Sequence, residues 1–133
     1  SSRGMKKSTE LQEMTKNIVV GMQEQNVERI VYIASAGVHN ELTGISGKLI
    51  KALLKNTLID HRAAVEYIKS YKLNYTIVRP MSLTNHDFTG KYREATTNVP
   101  SKSSSIPRAD VAHFILKALA DSNYVNTSIA VAT

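Results

Sequence analysis

Arg29-Ile30-Val31-Tyr32-Ile33-Ala34-Ser35-Ala36-Gly37 is the stretch on which the fold turns. Four β-branched or aromatic residues run together and are closed by small ones, which suits a strand buried on both faces in a parallel sheet. In an open α/β sheet the ligand crevice lies at the carboxyl ends of the strands. Ser35 is then either the hydroxyl that a rigid element delivers to the place of chemistry, or a small residue that fits a tight strand end.

The flanking segments supply the layers around such a strand. Upstream, Ser1 to Gly4 reads as a loop, and Ser8 or Thr9 can cap a helix whose apolar positions Leu11, Met14, Ile18, Val19 and Met22 fall at helical spacing. Downstream, residues 38–44 are polar enough for a loop over the strand ends. Ile45, Leu49, Ile50, Leu53 and Leu54 form a helical stripe that breaks at Asn56-Thr57, after which Asp60 can cap a second helix carrying Ala63, Ala64, Tyr67, Ile68 and Tyr71. Tyr75 to Val78 make a second buried strand, closed by Arg79-Pro80 because proline cannot donate to a ladder.

Met81 to Gly90 reads as a loop, and Lys91 to Ala95 and Ser103 to Ile106 as short edge strands. Pro107 suits the first turn of a helix that buries Val111, Phe114, Ile115, Ala118 and Leu119, with Asp110 near its positive end. Ser128 to Ala132 is a last strand. Helix alternating with strand predicts an α/β fold on a parallel sheet.

Composition narrows the function classes. The 133 residues have the length of one domain, and 42% are apolar. No apolar run approaches the roughly 20 residues that span a bilayer, and no signal-peptide pattern opens the chain, so the expectation is a cytoplasmic protein without membrane contact. With no cysteine, thiolate chemistry is excluded. Seventeen Lys and Arg against eleven Asp and Glu leave a net charge of +6. That excess is scattered and lacks interleaved aromatics, which fits solvated helix faces and the attraction of a phosphorylated cofactor better than a nucleic-acid partner.

The strand ending in Ser35-Ala36-Gly37, the segment Leu73-Asn74-Tyr75-Thr76-Ile77-Val78-Arg79-Pro80, and Ile106-Pro107-Arg108-Ala109-Asp110-Val111-Ala112 together resemble the C-terminal half of atypical short-chain dehydrogenase/reductases. The subgroup they are most similar to comprises the NmrA-like and flavin-reductase, biliverdin reductase B-like proteins. The resemblance implies a Rossmann-like parallel sheet with flanking helices, present over residues 1–133 as the C-terminal part of a single NAD(P)-binding domain. The family's Gly-rich phosphate turn has no counterpart, since none of the six glycines forms G-x-x-G-x-x-G or G-x-G-x-x-G. The isolated chain is therefore expected to be inactive, and the activity to belong to a longer protein.

What the resemblance implies for residues is specific. Ser35 matches the family's strand-end Ser. The family's Tyr-x-x-x-Lys, in which Lys lowers the Tyr pKa for proton relay, falls on Thr57 and His61, with Arg62 beside them. Its usual acid is thus missing, which disfavours carbonyl reduction and leaves hydride transfer to a flavin, quinone or similar small-molecule acceptor. A non-enzymatic NAD(P)-binding redox sensor of the NmrA type is the alternative.

The implied catalytic residues are Ser35 and His113, although His113, between Val111 and Phe114, reads equally as half-buried packing. The implied cofactor contacts are Ser1, Ser2, Arg3, Ser35, Ala36, His61, Arg62, Pro80, Met81, Ser82 and Leu83, for NADP ahead of NAD. His61 and Arg62 read otherwise as a solvated first helical turn, and Asp110 as a helix-start charge. His39 and His86 are lone loop histidines without the paired ligands of a metal site.

Overall fold

The computed structural model describes residues 8–40, 42 and 44–133. Its elements run α1 (Glu10–Glu24), β1 (Arg29–Ile33), α2 (Gly44–Ser70), β2 (Asn74–Pro80), β3 (Ser82–Thr84), β4 (Arg93–Ala95), β5 (Ser105–Pro107), α3 (Arg108–Ala120), a single 3-10 turn (Ser122–Tyr124) and β6 (Thr127–Ala132). The main sheet has the order β1-β2-β6-β4. β1, β2 and β6 are parallel, and β4 closes the edge antiparallel to β6.

Period-two alternation along β2 feeds two cores. Ile77 joins Val19, Val38, Val65, Ile68 and Leu73 on the α1/α2 face, while Val78 joins Ile106, Val111, Phe114, Ile129 and Val131 on the α3 face. The result is three layers, helix on sheet on helix, as the alternation of elements predicts.

Several local expectations are corrected by this packing. β2, not β1, is the strand buried on both faces: Thr76 to Pro80 are all buried, whereas β1 is half-buried and Ile33 is 44% exposed. β1 forms the edge of the four-stranded sheet, so only one side of it is paired among the described residues.

Asn56-Thr57 does not break a helix. α2 is continuous over 27 residues, about 40 Å at 1.5 Å per residue. Asp60 lies buried within it and caps a different helix, accepting Leu11 N–H and Gln12 N–H of α1, both at 3.1 Å. Thr9 occupies the N-cap position of α1 but makes no side-chain cap bond, whereas Ser8, the other residue expected to cap, accepts Glu10 N–H on its Oγ at 3.1 Å.

The segment expected as a loop after Met81 contains β3, which pairs in parallel with β5 as a separate two-stranded sheet. Pro107 stands just before α3 rather than within its first turn. Arg79, read only as a strand terminator, is fully buried and donates to the Thr96 carbonyl at 2.9 Å and to Ser128 Oγ at 3.1 Å.

Candidate functional site

The carboxyl ends of β1 and β2 converge where the sequence places the site. Past Ile33 the chain keeps ladder-like bonds, with Ala34 N–H donating to the Val78 carbonyl at 2.8 Å and Ala36 N–H to the Pro80 carbonyl at 2.9 Å. Ser35 is thereby fixed beside Pro80. Gly37 then turns the chain with φ of +96°, and a Cβ there would lie 2.9 Å from Leu42 Cδ1. Only glycine fits both the left-handed backbone and the close approach.

On the β2 side, Met81 N–H donates to the Val131 carbonyl at 3.1 Å and Ser82 N–H to the Ser104 carbonyl at 3.2 Å. Between these two anchored strand ends opens a pocket of about 510 Å³. Ala34, Ser35, Ala36 and Pro80 to Leu83 form its floor and one wall, α2 contributes Leu54, Thr57 and His61, and Leu42, Ser104 and Arg108 complete the rim. The volume lies within the roughly 300–1,000 Å³ of small-ligand sites.

Ser35, Ala36, His61, Pro80, Met81, Ser82 and Leu83 are thus brought together, and Thr57 stands one helical turn before His61 on the same wall. Arg62 is not among the lining residues. It donates through Nε to the Val38 carbonyl at 2.8 Å and through a terminal nitrogen to Asn40 Oδ1 at 3.0 Å, tying the segment after β1 to α2. The solvated-turn reading of His61 and Arg62 is also corrected, because both are half-buried in mid-helix. Ser1, Ser2 and Arg3 lie outside the described residues.

His113 does not line the pocket and is exposed rather than half-buried. Its Nδ1 is 2.8 Å from the Tyr92 hydroxyl, and its ring sits 5.3 Å from that of Phe88. Asp110, one turn earlier on α3, is fully buried. It accepts Thr89 N–H at 3.0 Å, Thr89 O–H at 2.6 Å and Gly90 N–H at 2.9 Å, so it anchors the 85–92 strap rather than merely opposing a helix dipole. Burial works to raise its carboxyl, but the Thr89 and Gly90 hydrogen bonds outweigh burial and hold it below the ordinary value.

Arg108 and Ser104 are pocket residues that sequence reasoning missed. Arg108 carried a signal, as a cation at the start of a helix that follows a strand; its guanidinium reaches Asn85 Oδ1 at 2.6 Å. Ser104 carried none, because its place depends on β3 pairing with β5.

His61 supplies the pocket's imidazole. Its Nδ1 is 3.1 Å from the Tyr32 hydroxyl, and the two rings meet edge to face. Burial pulls its imidazole below the ordinary value, against an opposing effect of the Asp60 charge. Among the described residues no group of three or more metal-binding side chains is assembled, and no helix is long and apolar enough to cross a membrane.

A parallel α/β sheet with its pocket at the strand ends defines a protein of the Rossmann-like, dinucleotide-binding class. More particularly, the chain belongs to the NAD(P)H-binding family, whose sequence model matches residues 2–122. Among solved structures, it is similar to a short-chain dehydrogenase/reductase from Veillonella parvula DSM 2008 in complex with NADP, at a TM-score of 0.84 and 24% identity, over 95% of this chain and 60% of that one. It is similar to ChuY, an anaerobilin reductase from Escherichia coli O157:H7, at 0.66 and 22%, over 87% and 56%. A Rossmann-fold NAD(P)-binding family protein from Shigella flexneri gives 0.69 and 23%, over 91% and 53%. The chain therefore spans little more than half the length of these structures.

Proposed function

We propose that the protein is an NAD(P)H-dependent reductase that passes hydride to a flavin, quinone or similar planar small molecule. The observation that carries this reading is the convergence of Ser35, Thr57, His61 and Pro80 to Leu83 on one pocket at the carboxyl ends of β1 and β2. A flat pyridine ring fits the pocket's chemistry: a wall of strand-end backbone, hydroxyls from Ser35 and Ser82, and apolar contacts from Leu42 and Leu54. When bound, the nicotinamide supplies the hydride.

The chain's own residues hold and orient. Pro80 to Leu83 receive the carboxamide end, Ser35 contacts the ring or the acceptor, and Arg108 stands at the rim where an anionic acceptor group is favoured. Thr57 occupies the place of the family's Tyr. Threonine's hydroxyl is far too weakly acidic for that proton relay, so acceptors that take their proton from solvent are preferred over simple carbonyls.

NADPH oxidation by the full-length protein, with FMN or a quinone as acceptor, tests the reading. Turnover that falls on Ser35→Ala supports it. Cofactor binding without turnover on either acceptor overturns it in favour of a second reading, a redox sensor that distinguishes oxidised from reduced cofactor. The absence of the Tyr-Lys pair is what favours that alternative, and equal affinities for NADP and NADPH would eliminate it.

A further inference from the structure

The pocket at the strand ends carries a cation and, among its described lining residues, no acid. Ser35, Thr57, Ser82 and Ser104 bring hydroxyls, His61 an imidazole and Arg108 a guanidinium, and none of the lining side chains is a carboxylate. The one fixed charge on this lining is therefore positive.

Arg108 also keeps that charge. Elsewhere Lys117 pairs with Glu94 at 2.7 Å and Lys69 with Glu66 at 3.7 Å, whereas no described carboxylate pairs with Arg108. Its partner is neutral: one terminal nitrogen donates to Asn85 Oδ1 at 2.6 Å. Asp110, two residues on, is buried and turned to the strap, with Oδ1 taking the Thr89 and Gly90 N–H groups and Oδ2 the Thr89 hydroxyl. An amide oxygen satisfies one of the five N–H donors of a guanidinium and cancels none of its charge. The remaining donors form a planar fork that matches a carboxylate or a phosphate.

Rigid elements set this cation at the rim. Arg108 directly follows β5, and β5 is paired with β3 from Ser82 to Thr84, so the backbone carries Ser82, Ser104 and Arg108 on one side of the pocket. Asn85 orients the exposed guanidinium without neutralising it.

We propose that Arg108 is a specificity-determining residue that selects, among planar acceptors, those bearing a carboxylate or phosphate tail. The proposal rests on the strand-end pocket being the acceptor site, and it names the class of acceptor. The ring lies against Ser35 and Pro80 to Leu83, and the anionic tail pairs with Arg108 at the rim.

Riboflavin and FMN isolate the effect, because they share one ring system and differ by a phosphate. Flavin-fluorescence titration of the full-length protein gives both dissociation constants, and NADPH oxidation with each flavin gives the matching kcat/KM. FMN is expected to bind about fivefold more tightly at low salt, the upper scale for an exposed ion pair, and the preference is expected to shrink as salt screens the pair. Arg108→Gln is expected to remove the preference, and Arg108→Lys to keep part of it. Asn85→Asp, which sets a carboxylate against the guanidinium, is expected to remove it with Arg108 still present. Lys72→Gln deletes the same charge from an exposed site beside the amino end of β2, and is expected to keep the preference.

Equal affinities in the wild type, an unchanged preference in folded Arg108→Gln protein, or an equal loss in Lys72→Gln would overturn the assignment. So would an Arg108→Gln effect confined to the NADPH dissociation constant, which gives the guanidinium to the cofactor's phosphates. An Arg108-dependent preference for FMN without NADPH oxidation upholds the assignment and counts against the reductase reading instead.

Discussion

Asp60 shows how one side chain joins two elements that sequence order keeps apart. Its two oxygens close the first turn of α1 from 48 and 49 residues away, satisfying backbone donors that have no intrahelical partner. Asp60→Ala is expected to cost about 1–2 kcal/mol, the scale of a lost helix cap, read as a lower urea midpoint. An unchanged midpoint would show the cap to be dispensable. Gly37 acts at the same scale through its backbone. Gly37→Ala meets both a left-handed φ and Leu42, so a loss of about 1 kcal/mol or more is expected, together with weakened cofactor binding because Leu42 lines the pocket.

At the scale of elements, the 85–92 strap is held on α3 by side chains rather than by a ladder. Arg108 bonds Asn85, Asp110 takes three donors from Thr89 and Gly90, and His113 meets Tyr92 and Phe88. Removing the carboxylate charge should release it. Asp110→Asn is expected to speed amide exchange at Thr89 and Gly90 while leaving the amides of β2 protected, and equal protection in both proteins would contradict the anchoring role. The same latch sets a pH dependence. Because the folded Asp110 pKa is depressed, its stabilisation is complete above the unfolded value of 3.8 and is lost as pH falls through the lower folded one. The strap is therefore expected to loosen only in strong acid. Between pH 7 and 5 His61, also depressed, adds its own dependence: below 6.5 the unfolded imidazole takes up a proton while the folded ring stays neutral to lower pH, so stability declines with falling pH there.

For the whole molecule, the two cores on either side of β2 give the sheet its rigidity, and the net charge of +6 surrounds it with a field that favours anions. If that field steers a phosphorylated cofactor, the association rate should fall as salt shortens the Debye length from about 30 Å at 0.01 M to about 8 Å at 0.15 M, with much less change in dissociation. Stopped-flow binding of NADPH by the full-length protein measures both rates, and a salt-independent association rate would remove steering. Truncating the α3-side core provides the stability control: Phe114→Ala empties a fully buried site and is expected to cost about 3–5 kcal/mol, a loss visible in thermal unfolding.

The sequence by itself determined the alternation of helix and strand, the strands at 29–33, 74–80 and 127–132 within a residue or two, and the burial of Val111, Phe114 and Ala118 on α3, although Leu119 of the same expected face is 52% exposed. These are properties of local period and of strand ends, which short-range sterics impose. Tertiary structure alone decided that α2 runs through Asn56-Thr57, because helix-propensity penalties of tenths of a kcal/mol per residue yield to the burial of Leu58, Ala64, Val65 and Ile68. It alone gave Asp60 to α1, Arg62 to the Val38 carbonyl and His113 to Tyr92, and brought Ser104 and Arg108 to the pocket. The contact of His61 Nδ1 with the Tyr32 hydroxyl belongs there too, because it joins α2 to β1 across 29 residues of sequence and exists only once the chain has folded.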